Sequence, residues 1–194
     1  MFPLALITPR DFDLDIALAY ATADNFTGRA VYRPDAGCFL HAEAAPLLTR
    51  AVQLARPLGL RLKLLDAFRP TEAQWALWNH TPDPEFLADP RRGSCHSRGA
   101  AIDLTLVNAE DWQELDMGTA FDAFTPRSHH GNLDIPPAAL RNRTLLLGLM
   151  SAAGWDFYGN EWWHYQMFDA ASRYPLLGDS ALGASAMMPQ DLTL

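Results

Sequence analysis

Residues 94–107 read Ser-Cys-His-Ser-Arg-Gly-Ala-Ala-Ile-Asp-Leu-Thr-Leu-Val, a turn that contains glycine and leads directly into an apolar run. Ile102, Leu104 and Leu106 recur at every second position, which is the pattern of a β-strand with one buried face. Asp103 lies on the other face of this strand. A carboxylate inside a strand needs a partner because the burial of an unpaired charge is costly. A hydrogen bond from a loop histidine or a metal ion would each satisfy it.

Outward from this strand, the sequence predicts two further strands and three helices. The strands are expected at residues 60–66 and 162–167, and the helices at 41–58, 70–80 and 136–153. Strands and helices do not alternate regularly along the chain, as they would in a doubly wound parallel sheet. We therefore predict an α+β fold, with a mainly antiparallel sheet and helices packed on it. The sequence shows no linker or repeat, so residues 1–194 are expected to form a single domain.

The composition indicates a globular protein and argues against two classes of partner. Hydrophobic residues make up 49% of the 194 residues and charged residues 20%, which excludes a disordered chain. Acidic side chains outnumber basic ones by 23 to 15, and the net charge is −8. Nucleic acids and anionic membrane surfaces both require concentrated Lys and Arg, so we expect neither as a partner.

The sequence also predicts a location. Its apolar runs are shorter than the ~20 residues of a membrane span. Residues 1–10 lack the basic region and the long apolar stretch of a signal peptide. Cys38 and Cys95 are the only cysteines, too few for a disulfide framework. We therefore expect a cytoplasmic protein.

A second stretch with chemical character is Glu161-Trp162-Trp163-His164-Tyr165. Tryptophans form a dry wall, and a dry site can raise the pKa of a glutamate towards neutrality. Alternatively, the segment is a core strand whose histidine and glutamate face solvent or each other. Taken together, His96, Asp103 and His164 supply three donors and leave one position open on a tetrahedral zinc ion. Glu161 is then a spare carboxylate, suited to be the base for a water molecule.

These two motifs together resemble the zinc D-alanyl-D-alanine dipeptidases, which belong to the group of D-Ala-D-Ala metallopeptidases with a Hedgehog-like fold. The resemblance rests on Ser-x-His-x-x-Gly-x-Ala-x-Asp at 94–103 and Glu-x-Trp-His at 161–164. Further segments that match in the same order lie at residues 20–28, 66–70, 117–122 and 127–130. Several spaced motifs in the right order are far more specific than any one of them.

The resemblance implies a set of catalytic residues. His96, Asp103 and His164 would hold one Zn²⁺ per chain. Glu161 would act first as the general base and then as the acid. Arg69 would stabilise the oxyanion.

The resemblance also implies how a substrate with two charged ends is held. Ser94 would help to bind the substrate carboxylate, while Tyr20 and Asp122 would recognise its ammonium group. The expected substrate is a small dipeptide, D-alanyl-D-alanine, cleaved to free D-alanine.

Two other functions remain open at this point. A D-Ala-D-Ala carboxypeptidase that acts on longer peptidoglycan stems would use the same zinc and the same base, with an open amino side. A non-enzymatic zinc module of the Hedgehog kind would keep the metal alone, but the presence of Arg69 and Glu161 argues against it. The oligomeric state is not predictable from the sequence.

Some residues raise local questions. The related family has serine at the position of Cys95. His96 must point to the metal, and neighbouring residues in an extended chain point apart. We therefore expect Cys95 to be a packing residue and not a further metal ligand. Glu161 and His164 would point to opposite faces of a regular strand, so Glu161 must precede the strand or lie at a bulge. His129 and His130 are expected to shape the rim of the site or to order a loop. The tryptophans Trp75, Trp78 and Trp155 are expected in the core.

Overall fold

The computed structural model of the protein describes residues 4–189, and a five-stranded sheet lies at its centre. The strands in chain order are β1 (Leu4–Ile7), β2 (Asp15–Ile16), β3 (Cys38–His41), β4 (Leu60–Asp66), β5 (Ala101–Asn108), β6 (Asp156–Phe157) and β7 (His164–Gln166). The central sheet has the order β2-β4-β5-β7-β6, in which only the β2–β4 pair is parallel. Strands β1 and β3 form a separate antiparallel pair. The prediction of a mainly antiparallel α+β fold is confirmed.

Helices cover this sheet. They are α1 (Pro9–Phe12), α2 (Ala45–Ala55), α3 (Thr71–His80), α4 (Pro137–Ala153) and α5 (Ala170–Arg173). Helix α2 contacts both α4 and β4. Short 3₁₀ turns at Ala19–Ala21, Arg56–Leu58, His96–Arg98, Pro126–Ser128 and Asp179–Ser185 join the other elements.

The core forms where the predicted apolar alternation lies. Leu62 and Leu64 of β4 and Leu104 of β5 have no exposed surface, and neither has Leu48 of α2. Full burial of each such side chain contributes about 1.5–3 kcal/mol. The central strands are therefore firmly fixed, and the polar residues on them hold defined positions.

Two elements begin later in the structure than the sequence predicts. Helix α2 begins at Ala45, not at residue 41, because His41 ends β3 and pairs with Leu4 across the small sheet. The strand predicted from residue 162 begins at His164, since Trp162 and Trp163 lie in a turn. The sequence analysis missed β1, β2, β3 and β6, which are too short to show an alternating pattern.

The tryptophan prediction holds in part. Trp155 is buried as expected and Trp78 is partly buried against the core. The core prediction is wrong for Trp75, which is 36% exposed on α3. Within residues 4–189, none of the helices is both long and apolar enough to cross a membrane.

Candidate active site

A cavity of about 260 Å³ lies at the end of the central sheet. All eight side chains that the sequence analysis singled out line it: Tyr20, Arg69, Ser94, His96, Asp103, Asp122, Glu161 and His164. They come from segments that are far apart in the chain. A cavity of this size is smaller than the ~300–1,000 Å³ of sites for drug-sized ligands, which suits a small substrate.

Strand pairing brings three of the polar positions together. Asp66 at the end of β4 pairs with Asp103 of β5, and Asp103 pairs with His164 of β7. A register shift between Leu64 and Asp66 alters the side-chain alternation at the end of β4. The pairing therefore places these three side chains in one row across three strands.

His96, Asp103 and His164 form a tight group of donor atoms. His96 Nε2 lies 3.3 Å from Asp103 Oδ2, His164 Nδ1 lies 3.1 Å from Asp103 Oδ1, and the two ring nitrogens are 3.1 Å apart. Tetrahedral zinc with bonds of about 2.0–2.2 Å spaces its ligand atoms about 3.3–3.6 Å apart. The observed spacing is close to that value.

The outer hydrogen bonds of the two histidines make the group fit a cation. His96 Nδ1 donates to the carbonyl of Ala67 at 2.7 Å, and His164 Nε2 donates to Gln166 Oε1 at 3.2 Å. Each inner nitrogen is then left with a lone pair that faces the Asp103 carboxylate. Two lone pairs and a carboxylate that converge in this way are the donor set of a metal ion, and nitrogen with oxygen suits zinc.

Glu161 lies just before β7, in the turn that starts at Tyr158. Glu161 therefore precedes the strand, which is one of the two arrangements that allow it to face the same site as His164. Its Oε2 is 3.8 Å from His164 Nδ1, and the side chain is buried. Burial raises the pKa of Glu161 well above its usual value, and the nearby Asp103 and Asp122 carboxylates raise it further. A carboxyl group with a raised pKa is suited to general acid–base chemistry.

Arg69 follows β4 and is held by three side chains. Its Nε donates to Asp66 Oδ2 at 2.8 Å, its Nη1 to Gln74 Oε1 at 3.0 Å, and its Nη2 to Asp103 Oδ2 at 3.4 Å. Burial alone would lower the pKa of Arg69, but Tyr20 and Asp66 raise it well above its usual value. The guanidinium is therefore a fixed positive charge beside the donor group.

Tyr20 and Asp122 meet on another wall of the cavity. The Tyr20 hydroxyl donates to Asp122 Oδ2 at 2.7 Å. Burial raises the pKa of Asp122 to about 8, with a further contribution from the charge of Asp103. A cationic group that entered beside Asp122 would favour its ionised form.

Ser94 and Cys95 lie in the turn that carries His96. Ser94 Oγ accepts a hydrogen bond from the His96 amide at 3.2 Å, which leaves the hydroxyl proton free for a ligand. Cys95 has helical backbone angles, so the argument that it lies in an extended chain is wrong, but it does pack against the core. Gly99 ends the turn with φ 66°, and a Cβ there would lie 3.0 Å from the His41 amide nitrogen. Only glycine fits this position without strain.

The sequence analysis missed several residues of the cavity wall. Gln166 had a detectable signal, because it lies two positions after His164 and so shares its strand face. Gln74 does not line the cavity but supports Arg69 from behind, and it had no such signal, since its amide joins Arg69 to the carbonyl of Ala88 through tertiary contacts. The loop residues 84–88 also line the cavity. His129 Nε2 lies 3.2 Å from Glu85 Oε1, so it contacts this loop at the rim.

The sequence matches one protein-family model over most of its length. The chain belongs to a peptidase family described as D-ala-D-ala dipeptidase, whose model matches residues 3–179. Among its relatives, a D-alanyl-D-alanine dipeptidase of Escherichia coli is 48% identical over 176 residues, which cover 91% of this chain and 88% of that protein. A D-alanyl-D-alanine dipeptidase of Enterococcus faecalis is 35% identical over 77% of this chain and 84% of its own length. One of Streptomyces coelicolor is also 35% identical, over 76% and 83%.

Proposed function

We propose that the protein is a zinc-dependent dipeptidase that hydrolyses D-alanyl-D-alanine to free D-alanine. The observation that carries this proposal is the content of one small cavity: a His/Asp/His donor group, a buried carboxyl, a fixed guanidinium and a Tyr–Asp pair. The family of the chain and the names of its relatives support the substrate. The free thiols of Cys38 and Cys95 support a reducing, cytoplasmic location.

His96, Asp103 and His164 would hold the metal. Three protein ligands with an open fourth position are the arrangement of catalytic zinc sites. When bound, zinc would polarise the scissile carbonyl and make a water molecule in the cavity more acidic.

Glu161 would move the proton of this reaction. It takes one proton from the attacking water while the new C–O bond forms. It then delivers that proton to the nitrogen of the scissile bond as the C–N bond breaks, so that a neutral amine leaves. The raised pKa of Glu161 suits both steps, since the same group must be a base and then an acid.

Arg69 would stabilise the negative charge that develops on the carbonyl oxygen. Its guanidinium lies beside the donor group, with Nη2 3.4 Å from Asp103. Asp66 and Gln74 fix its orientation, so little reorganisation is required when the charge appears.

The two ends of the dipeptide would be held by opposite charges and hydrogen bonds. Asp122, oriented by Tyr20, pairs with the ammonium group, and the Ser94 hydroxyl donates to the carboxylate. Asp103, Asp122 and Glu161 outnumber the single guanidinium of Arg69, and this excess of acid suits two cations, the metal and the substrate ammonium. An N-blocked or longer peptide would leave the half-buried Asp122 without a cationic partner.

The test compares kcat/KM for D-Ala-D-Ala and N-acetyl-D-Ala-D-Ala, on the parent protein and on Asp122→Ala. Without the ammonium group, Asp122 takes up a proton, because its pKa is raised to about 8. The acetylated complex then lacks the charge-assisted hydrogen bond, which is worth about 1.5–3 kcal/mol. The parent should therefore cleave the acetylated substrate about tenfold to a hundredfold more slowly. Asp122→Ala should bring the two kcat/KM values closer together, because it should lower only the value for the free dipeptide. Equal values on the parent would contradict the proposal and favour the carboxypeptidase.

A further inference from the structure

Arg143 of α4 is one of the largest buried side chains of the protein, with 1% of its surface exposed. Within residues 4–189, its hydrogen bonds go only to neutral oxygens. The charge of Asp116 acts on Arg143 without an ion pair between them, and the Trp162 ring lies 5.9 Å from the guanidinium. A buried guanidinium without a carboxylate in contact is still costly, and an apolar side chain would fill the same space at lower cost. The packing of α4 alone therefore does not account for this arginine.

The oxygens that Arg143 binds all belong to one segment, residues 117–129. Arg143 Nε donates to the carbonyl of Met117 at 2.6 Å, and Nη1 donates to the carbonyls of Arg127 at 2.8 Å and His129 at 3.2 Å. Nη2 donates to Thr119 Oγ1 at 3.3 Å. One side chain thus holds both ends of the segment.

This segment has little regular structure to fix its shape. It contains a 3₁₀ turn at Pro126–Ser128 and otherwise runs as turns and irregular chain. Asp122 lies in its middle with φ 55°, a left-handed conformation that persists in a non-glycine residue only when the surroundings hold it. The position of the Asp122 carboxyl therefore depends on contacts that hold the ends of the segment.

A second contact joins the same segment to the turn that carries Glu161. Trp162 Nε1 donates to Thr119 Oγ1 at 2.9 Å, and the Trp162 amide donates to the carbonyl of Ser128 at 3.1 Å. Thr119 thus connects Arg143 with the residue next to Glu161. These contacts fix residues 117–129, which carry Asp122, relative to the wall of the cavity that the sheet forms.

We propose that Arg143 is a positioning residue that sets the selectivity for a free amino terminus, because it holds Asp122 at the correct distance from the scissile bond. This role rests on the proposed dipeptidase function. Arg143 itself does not line the cavity. It acts through the main chain of residues 117–129.

The test is Arg143→Lys, which keeps a positive charge but cannot reach several carbonyls at once. A misplacement of about 1 Å can cost about a hundredfold in rate. We expect kcat/KM for D-Ala-D-Ala to fall about tenfold to a hundredfold, and the preference over N-acetyl-D-Ala-D-Ala to fall at least about fivefold. Amide hydrogen exchange should accelerate within residues 117–129 while zinc content stays unchanged.

Arg141→Lys is the matched control, since Arg141 is exposed on the same helix and should change neither quantity. Thr119→Val is a milder variant that should shift the preference in the same direction if Arg143→Lys does not fold. Equal losses on both substrates, or unchanged exchange in residues 117–129, would overturn the proposal. A parent protein that does not cleave D-Ala-D-Ala would refute the proposed function instead, and the exchange measurement would still decide whether Arg143 holds the segment.

Discussion

The cavity has two walls that are built differently. On the sheet wall, Asp103 and His164 lie opposite each other on paired strands, so the main-chain ladder sets their distance. On the irregular wall, Tyr20 and Asp122 come from segments without strands, and side-chain hydrogen bonds hold them. The difference indicates a division of labour. Under the proposed function, the sheet wall would carry the bond-breaking chemistry, and the irregular wall would carry the choice of substrate.

The largest effect should follow from a change on the sheet wall that leaves the metal in place. Glu161→Gln keeps the size of the side chain but removes the group that carries the proton, so turnover should fall about 10²–10⁴-fold. Metal analysis should find unchanged zinc, because Glu161 is not a member of the donor group. The matched control, Glu110→Gln on the exposed surface, should retain full activity. Loss of zinc from Glu161→Gln would make Glu161 a ligand and contradict this division of roles.

A second change on the same wall tests transition-state stabilisation. Arg69→Lys keeps the charge but loses the planar fork that binds Asp66, Gln74 and Asp103 together. The value of kcat should fall about 10²–10³-fold, as it does when one oxyanion donor is removed. Steady-state kinetics beside Arg50→Lys, an exposed arginine of α2, would measure this. An increase in KM alone would show that Arg69 only anchors the substrate.

The smallest effect should come from the outer partner of a histidine. Gln166→Met removes the oxygen that accepts a hydrogen bond from His164 Nε2, so the ring loses its fixed orientation. Zinc affinity should fall about 10–100-fold, while turnover at saturating zinc should change little. Competition with a chelator would measure the affinity, with the exposed Gln53→Met as control. Unchanged affinity would show that strand pairing alone orients His164.

The same contrast explains how much could be predicted from the sequence. The apolar alternation of β4 and β5 predicted the central strands, and the residues of the sheet wall lie at or near the ends of these strands. The resemblance to the family indicated Tyr20 and Asp122, but not the contacts that hold their segments. The contacts of Gln74 and Arg143 bridge distant segments, and no local pattern in the chain records them. The start of β7 was placed two residues too early because the tryptophans of its preceding turn are as apolar as strand residues.

The most direct test of the central claim is a zinc titration of metal-free protein, followed by turnover of D-Ala-D-Ala. The claim is that one metal ion, held by His96, Asp103 and His164, drives hydrolysis in this cavity. Turnover should rise in proportion to added zinc and reach its maximum at about one equivalent per chain, and His96→Ala should show no such rise. Full turnover by the metal-free protein, or an unchanged titration of His96→Ala, would contradict the claim.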